Sequence, residues 1–147
     1  MLNQLRGVYS SLHKHKVKYV TIGGIAAILY GVPRATFDLD ILIEATPANA
    51  QRLLDALLDA GLGTASLTTA EQLLVHEVTI FRDRVQIDVQ TSTPGIKFED
   101  VWQRRQVMKH GRQEFYVLSR DDLITSKRAA GRPKDLEDIR LLELTTD

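Results

Sequence analysis

Residues 17–43 read VKYVTIGGIAAILYGVPRATFDLDILI. The first six, Val-Lys-Tyr-Val-Thr-Ile, are rich in β-formers and predict a strand over 17–22. Gly23-Gly24 ends it. A short helix over 25–31 follows, stopped by Gly31 and Pro33. The stretch closes on a second strand over 38–43, Asp-Leu-Asp-Ile-Leu-Ile. Two chemical features sit inside this strand–helix–strand unit. Glycine at a strand-to-helix turn lets the backbone approach a ligand closely. The free N–H groups of the helix start favour phosphate. In a strand, residues i and i+2 face the same way, so Asp38 and Asp40 leave one side while Leu39, Ile41 and Ile43 face the other. Two like charges about 5–7 Å apart on one strand repel unless a cation lies between them. Carboxylate oxygens of this kind suit magnesium, which binds through one or two carboxylates plus substrate phosphates. Read alone, the glycine pair also fits a structural turn, and the aspartates fit a polar strand end facing water.

Working outward, residues 2–13 predict a helix with Leu2, Leu5, Val8 and Leu12 on one face. A helix opens at Pro47 and runs to Ala60 on a stripe of Leu53, Leu54, Leu57 and Leu58, ended by Gly61. Strands over 74–81 and 84–90, joined at Arg82-Asp83, predict a hairpin. Pro94-Gly95 marks a turn, and 98–103 a short helical piece. Strands over 105–109 and 114–118 flank His110-Gly111. Ser119 caps a helix over 120–130 that ends at Gly131, and a last helix runs from Pro133 to about Leu144. The resulting class is α+β: a mixed β-sheet packed with helices, closing on two C-terminal helices. No linker divides residues 1–147, which read as one domain.

The strand over 84–90 sets Val85, Ile87 and Val89 against Gln86, Asp88 and Gln90, so Asp88 lies on a polar face. If this strand neighbours the one carrying Asp38, three carboxylates converge. Such a triad can hold two metals about 3.5–4 Å apart, clamping the attacking and leaving oxygens of a phosphoryl transfer. Taken alone, Asp88 also fits a solvent-facing edge.

The bulk composition narrows the alternatives. The chain has 147 residues, 44% of them apolar and only 6% aromatic, so aliphatic side chains are expected to fill the core. Lysine plus arginine number 19 and aspartate plus glutamate 19, so no overall basic field argues for non-specific nucleic-acid binding. The absence of cysteine removes disulfides, thiolate zinc sites and cysteine nucleophiles, and fits a cytoplasmic location. No signal-peptide pattern or 18-residue apolar run is present, so no membrane association is expected.

Gly23-Gly24 followed by Asp38-Leu39-Asp40-Ile41 resembles the signature of the polymerase-beta-like minimal nucleotidyltransferases, and Asp88 matches their third carboxylate. The tail Lys127-Arg128-Ala129-Ala130-Gly131-Arg132-Pro133-Lys134-Asp135-Leu136-Glu137-Asp138-Ile139 resembles the ending of small bacterial members, among them relatives of the abortive-infection (AbiEii-type) toxins. The resemblance spans residues 17–143. It implies that Asp38 and Asp40 hold Mg2+, that Asp88 completes the site and acts as a base, and that Gly23 and Gly24 contact a triphosphate. It implies transfer of a nucleoside monophosphate from an NTP to an RNA, protein or small-molecule acceptor. Larger members carry an added helical domain; here two helices follow the last strand, which implies a partner chain or homodimer for acceptor choice. The alternative is a non-catalytic binding module of the same fold, an antitoxin or partner protein. A phosphohydrolase using the same carboxylates lacks the histidine-rich metal motifs common in that class.

Secondary candidates come from the basic residues. Arg34, four residues before Asp38, can bind phosphate bidentately or be a surface loop arginine. Lys127 can reach a phosphate as a point charge, be a surface lysine, or partner Asp135 or Asp138. Lys134 joins Gly23, Gly24 and Arg34 among the nucleotide-binding candidates. Asp135, in the first turn of the last helix, suits the helix dipole, or helps with Lys127 in catalysis as in the toxin relatives. His13-Lys14-His15-Lys16 reads as a solvated turn, and Trp102 with Phe98 as core.

Overall fold

A six-stranded mixed sheet organises the chain, seen in a computed structural model that describes residues 2–36 and 38–144. The strands are β1 (Tyr19–Ile22), β2 (Asp38–Ile43), β3 (Val78–Arg82), β4 (Gln86–Gln90), β5 (Gln106–His110) and β6 (Gln113–Val117), in the order β3-β4-β2-β1-β6-β5. The pairs β2–β4 and β1–β6 are parallel and the others antiparallel. The helices are α1 (Leu2–Lys14), α2 (Gly23–Leu29), α3 (Pro47–Asp59), α4 (Ala70–Val75), α5 (Phe98–Gln103), α6 (Arg120–Ala130) and α7 (Pro133–Leu144). This is the α+β architecture expected from the sequence.

Alternation decides which sheet face is which. Leu39, Ile41 and Ile43 of β2 and Ile87 and Val89 of β4 are buried. The apolar stripes of α1 (Leu5, Val8, Leu12) and α3 (Ala50, Leu53, Leu57) join them in one core. Thr46 caps α3 by accepting from the Asn49 N–H, with Pro47 in the first turn. Leu58, expected in the core stripe, is 44% exposed. It lies about 100° around the helix from Leu57, on the flank of the buried face. The core is also less purely aliphatic than the composition suggested: Tyr9 stacks on Phe115 at 4.6 Å and its hydroxyl bonds to Thr21 Oγ1 at 2.9 Å. Phe98 stacks on Trp102 at 5.5 Å, as expected of core neighbours.

The largest departure from the sequence reading falls at residues 70–77. The strand expected over 74–81 starts only at Val78, because Ala70–Val75 form α4. The side chain of Thr69 caps that helix by accepting from the Gln72 N–H, Glu71 sits in its first turn, and Leu73 is buried. Asp83 forms the hairpin turn, accepting from the N–H groups of Thr64 and Arg84. His13-Lys14-His15-Lys16 is only partly a solvated turn: His13 is half-buried and bonds to the Tyr19 hydroxyl at 2.9 Å. Lys14 and His15 both reach Asp59. Among the described residues no helix is long and apolar enough to cross a membrane.

Candidate active site

The polar face of β2 and β4 forms one wall of a cleft of about 460 Å3, which the start of α2 and the α6–α7 corner complete. Gly23, Gly24, Arg34, Asp38, Asp40, Asp88, Lys127 and Lys134 all line it, so the fold gathers every candidate from four separate parts of the chain. The parallel register places Asp40 opposite Asp88 and Asp38 opposite Gln86. The neighbour relation that the sequence could only assume is therefore present.

Crowding of like charge governs this wall. The Asp40 carboxyl is pushed up to about 7, first by burial, then by the charge of Asp88, a hydrogen bond shared with Asp88, and the charge of Asp38. Lys134 acts in the opposite direction. The Gln86 amide bridges the wall, donating to Asp88 Oδ1 at 3.1 Å and more weakly to Asp38 Oδ2 at 3.4 Å.

The two glycines have different duties. Gly23 has φ +70°, and a Cβ there would lie 2.2 Å from Asp40 Oδ2. A side chain at position 23 would displace the carboxylate, so the glycine belongs to the geometry of Asp40 itself. A Cβ on Gly24 would meet Thr36 Cγ2 at 3.4 Å, an ordinary contact. Both glycines lie inside the first turn of α2, not ahead of it as expected. No side chain caps that helix start.

The basic residues of the cleft are cross-braced. Lys127 is only 5% exposed, which corrects the surface-lysine reading; it donates to Asp138 Oδ2 at 2.9 Å and lies 3.7 Å from Asp135 Oδ1. Arg34 Nη1 donates to the same Asp138 oxygen at 2.7 Å, so it is held rather than a loose loop arginine. Asp135 accepts from the backbone N–H of Arg132 at 3.2 Å and from its Nε at 2.7 Å. Burial opposes ionisation of Asp135, but Arg132, with Lys127, outweighs it and holds the carboxyl below its usual range. Asp135 does sit in the first turn of α7, and it closes that helix start by reaching back to Arg132. Lys134 is exposed at the same corner.

Sequence reasoning gave no site role to Thr36, Glu77, Gln90, Ser92, Thr93 or Arg132, which also line the cleft. The polar alternation of β4 was a signal for Gln90. Glu77 had none, because it falls within the misplaced strand start.

The donors fit a hard cation in kind: carboxylate oxygens on one wall, with Asp40 raised by burial and then by the charges of Asp88 and Asp38. They are not closed into a ready cage. Among the described residues no three His, Asp or Glu side chains are grouped closely enough to ligate one ion together.

Comparison with known proteins agrees with this fold. A crystal structure of a Thermotoga maritima protein classed as a candidate nucleotidyltransferase superposes with a TM-score of 0.62 at 16% identity, over 99% of this chain and 93% of that one. An antigenic nucleotidyltransferase-like protein from Paracoccidioides brasiliensis superposes with a TM-score of 0.58 at 18% identity, over 96% of this chain and 72% of that one. No curated protein matches the sequence. The family described as "Nucleotidyltransferase of unknown function (DUF6036)" matches residues 2–146, and the chain belongs to it.

Proposed function

We propose that this chain is a magnesium-dependent nucleotidyltransferase that moves a nucleoside monophosphate from an NTP to an acceptor hydroxyl. The observation that carries this reading is the in-register pairing of Asp40 with Asp88, beside Asp38, in a cleft also lined by Arg34, Lys127, Arg132 and Lys134. Carboxylates and cations lining one cleft suit a metal-bound polyphosphate better than either group alone. Family membership supports the general role.

Asp38, Asp40 and Asp88 would hold Mg2+, which supplies charge neutralisation on phosphoryl oxygens. Lys134 and Arg132 stand near Asp40, where the phosphate chain would pass. Gly23 and Gly24 offer backbone N–H groups at the start of α2. In the transfer itself, the acceptor oxygen bonds to the α-phosphorus and the bond from that phosphorus to pyrophosphate breaks. The hydroxyl proton passes to Asp88, which is the general base. Electrostatic placement and orientation supply most of the rate in such reactions. The acceptor is RNA, protein or a small molecule, and a partner chain or homodimer can contribute to its choice.

The test is incubation with each labelled NTP, Mg2+, cell RNA and cell protein, reading which fraction takes up label. Label should appear only with Mg2+ and vanish in Asp38→Ala/Asp40→Ala. Tight magnesium-independent binding of a partner protein, with no NTP binding by calorimetry, would favour the binding-module reading and sink this one.

A further inference from the structure

We infer that Asp138, which does not line the cleft, is the positioning residue that fixes two of its cations for a polyphosphate; this rests on the nucleotidyltransferase reading. Asp138 is only 3% exposed on α7. A single oxygen, Oδ2, accepts from Arg34 Nη1 at 2.7 Å and from Lys127 Nζ at 2.9 Å. Arg34 comes from the segment before β2 and Lys127 from α6, so one buried carboxylate ties three parts of the chain together at the cleft wall.

The charges explain why such a brace is needed. Lys127 and Arg34 both line the cleft and would repel each other if left unpaired. Long cationic side chains also lose much rotamer freedom on being fixed. Asp138 removes both obstacles before a ligand arrives. It spends only part of each cation's bonding capacity: an ammonium has three N–H donors and a guanidinium five. Arg34 keeps 29% of its side chain exposed, so it remains available to an incoming anion. A second carboxylate, Asp135, does the same for Arg132 and stands 3.7 Å from Lys127. Arg34, Asp138, Lys127, Asp135 and Arg132 therefore form a continuous line of alternating charge along one side of the cleft, with one net positive charge.

The experiment measures Mg2+–pyrophosphate binding by calorimetry for wild type, Asp138→Asn, Arg34→Ala and the double variant, at two salt concentrations. Asp138→Asn is expected to weaken binding by about tenfold, the scale of one misplaced charge-assisted contact. If Asp138 acts through Arg34, the double variant loses little more than either single one, and Arg34→Ala, which removes a cation, shows a shallower salt dependence. A purely structural role would lower thermal stability while leaving affinity and its salt slope unchanged. Unchanged affinity in Asp138→Asn, or losses that multiply in the double variant, overturns the inference. A wild type that fails to bind pyrophosphate counts against the nucleotidyltransferase reading itself, whereas one that binds it equally with or without the Asp138 carboxylate counts only against this inference. Should Asp138→Asn fail to fold, side-chain 15N spectra of the wild type decide instead. Slow guanidinium rotation of Arg34 before ligand is added supports a held arginine, and free rotation overturns it.

Discussion

Replacing Asp40 by asparagine should make the metal-free protein more stable at pH 8. The Asp40 carboxyl is pushed up from 3.8 to about 7, with burial first among the causes and the charges of Asp88 and Asp38 behind it. The folded state therefore holds this proton more tightly than the unfolded chain does. For an acid raised in this way, folding is unpenalised below about pH 4 and loses stability as pH rises through about 7. About three pKa units correspond to roughly 4 kcal/mol at full ionisation. Asparagine has nearly the same shape but never ionises, and removing one charge also relieves Asp88 and Asp38. It still has to be accommodated as a partly buried amide, so a gain of about 2–4 kcal/mol is expected. Urea unfolding in the presence of a chelator, followed at pH 5 and pH 8, measures it. The variant should be clearly ahead at pH 8, with the gap closing towards pH 5. Millimolar Mg2+ should then raise the stability of wild type and leave the variant almost unmoved, since only a ligand that binds the folded state stabilises it. An Asp40→Asn protein no more stable than wild type at pH 8 without metal would refute the account of the acidic wall as charge awaiting a cation.

Two further outcomes follow from the packing. Gly23→Ala puts a Cβ 2.2 Å from Asp40 Oδ2 at φ +70°, so it should cost about 1–3 kcal/mol in urea unfolding and weaken NTP binding, while Gly24→Ala, whose Cβ meets Thr36 Cγ2 at 3.4 Å and Arg34 Nη2 at 3.6 Å in ordinary contact, should fold nearly as wild type. Lys127→Met leaves Asp135 and Asp138, 2% and 3% exposed, each with its arginine alone, and should cost about 1.5–3 kcal/mol by the same measurement.

The sequence by itself determined the parts of this protein that depend on short-range periodicity. Alternation in Asp38–Ile43 fixed which carboxylates share a face, and in Gln86–Gln90 it set Asp88 opposite the buried Ile87 and Val89. Helix-start chemistry located α3 at Pro47 and α6 at Ser119. It was also available at Thr69, but the apolar run after it read as strand, and α4 was missed. Periodicity alone does not separate a short apolar strand from a short helix. What only the tertiary structure decided involves residues far apart in the chain. The pairing of Asp40 with Asp88 depends on β4 inserting beside β2. The requirement for Gly23 comes from an aspartate 17 positions later, and the bond from Arg34 to Asp138 spans 104 positions. No local rule carries such contacts, because they exist only once the sheet and the two last helices have closed around one cleft. A lysine that the sequence allowed on the surface is buried for the same reason: the two carboxylates that make its burial tolerable are presented by a different helix.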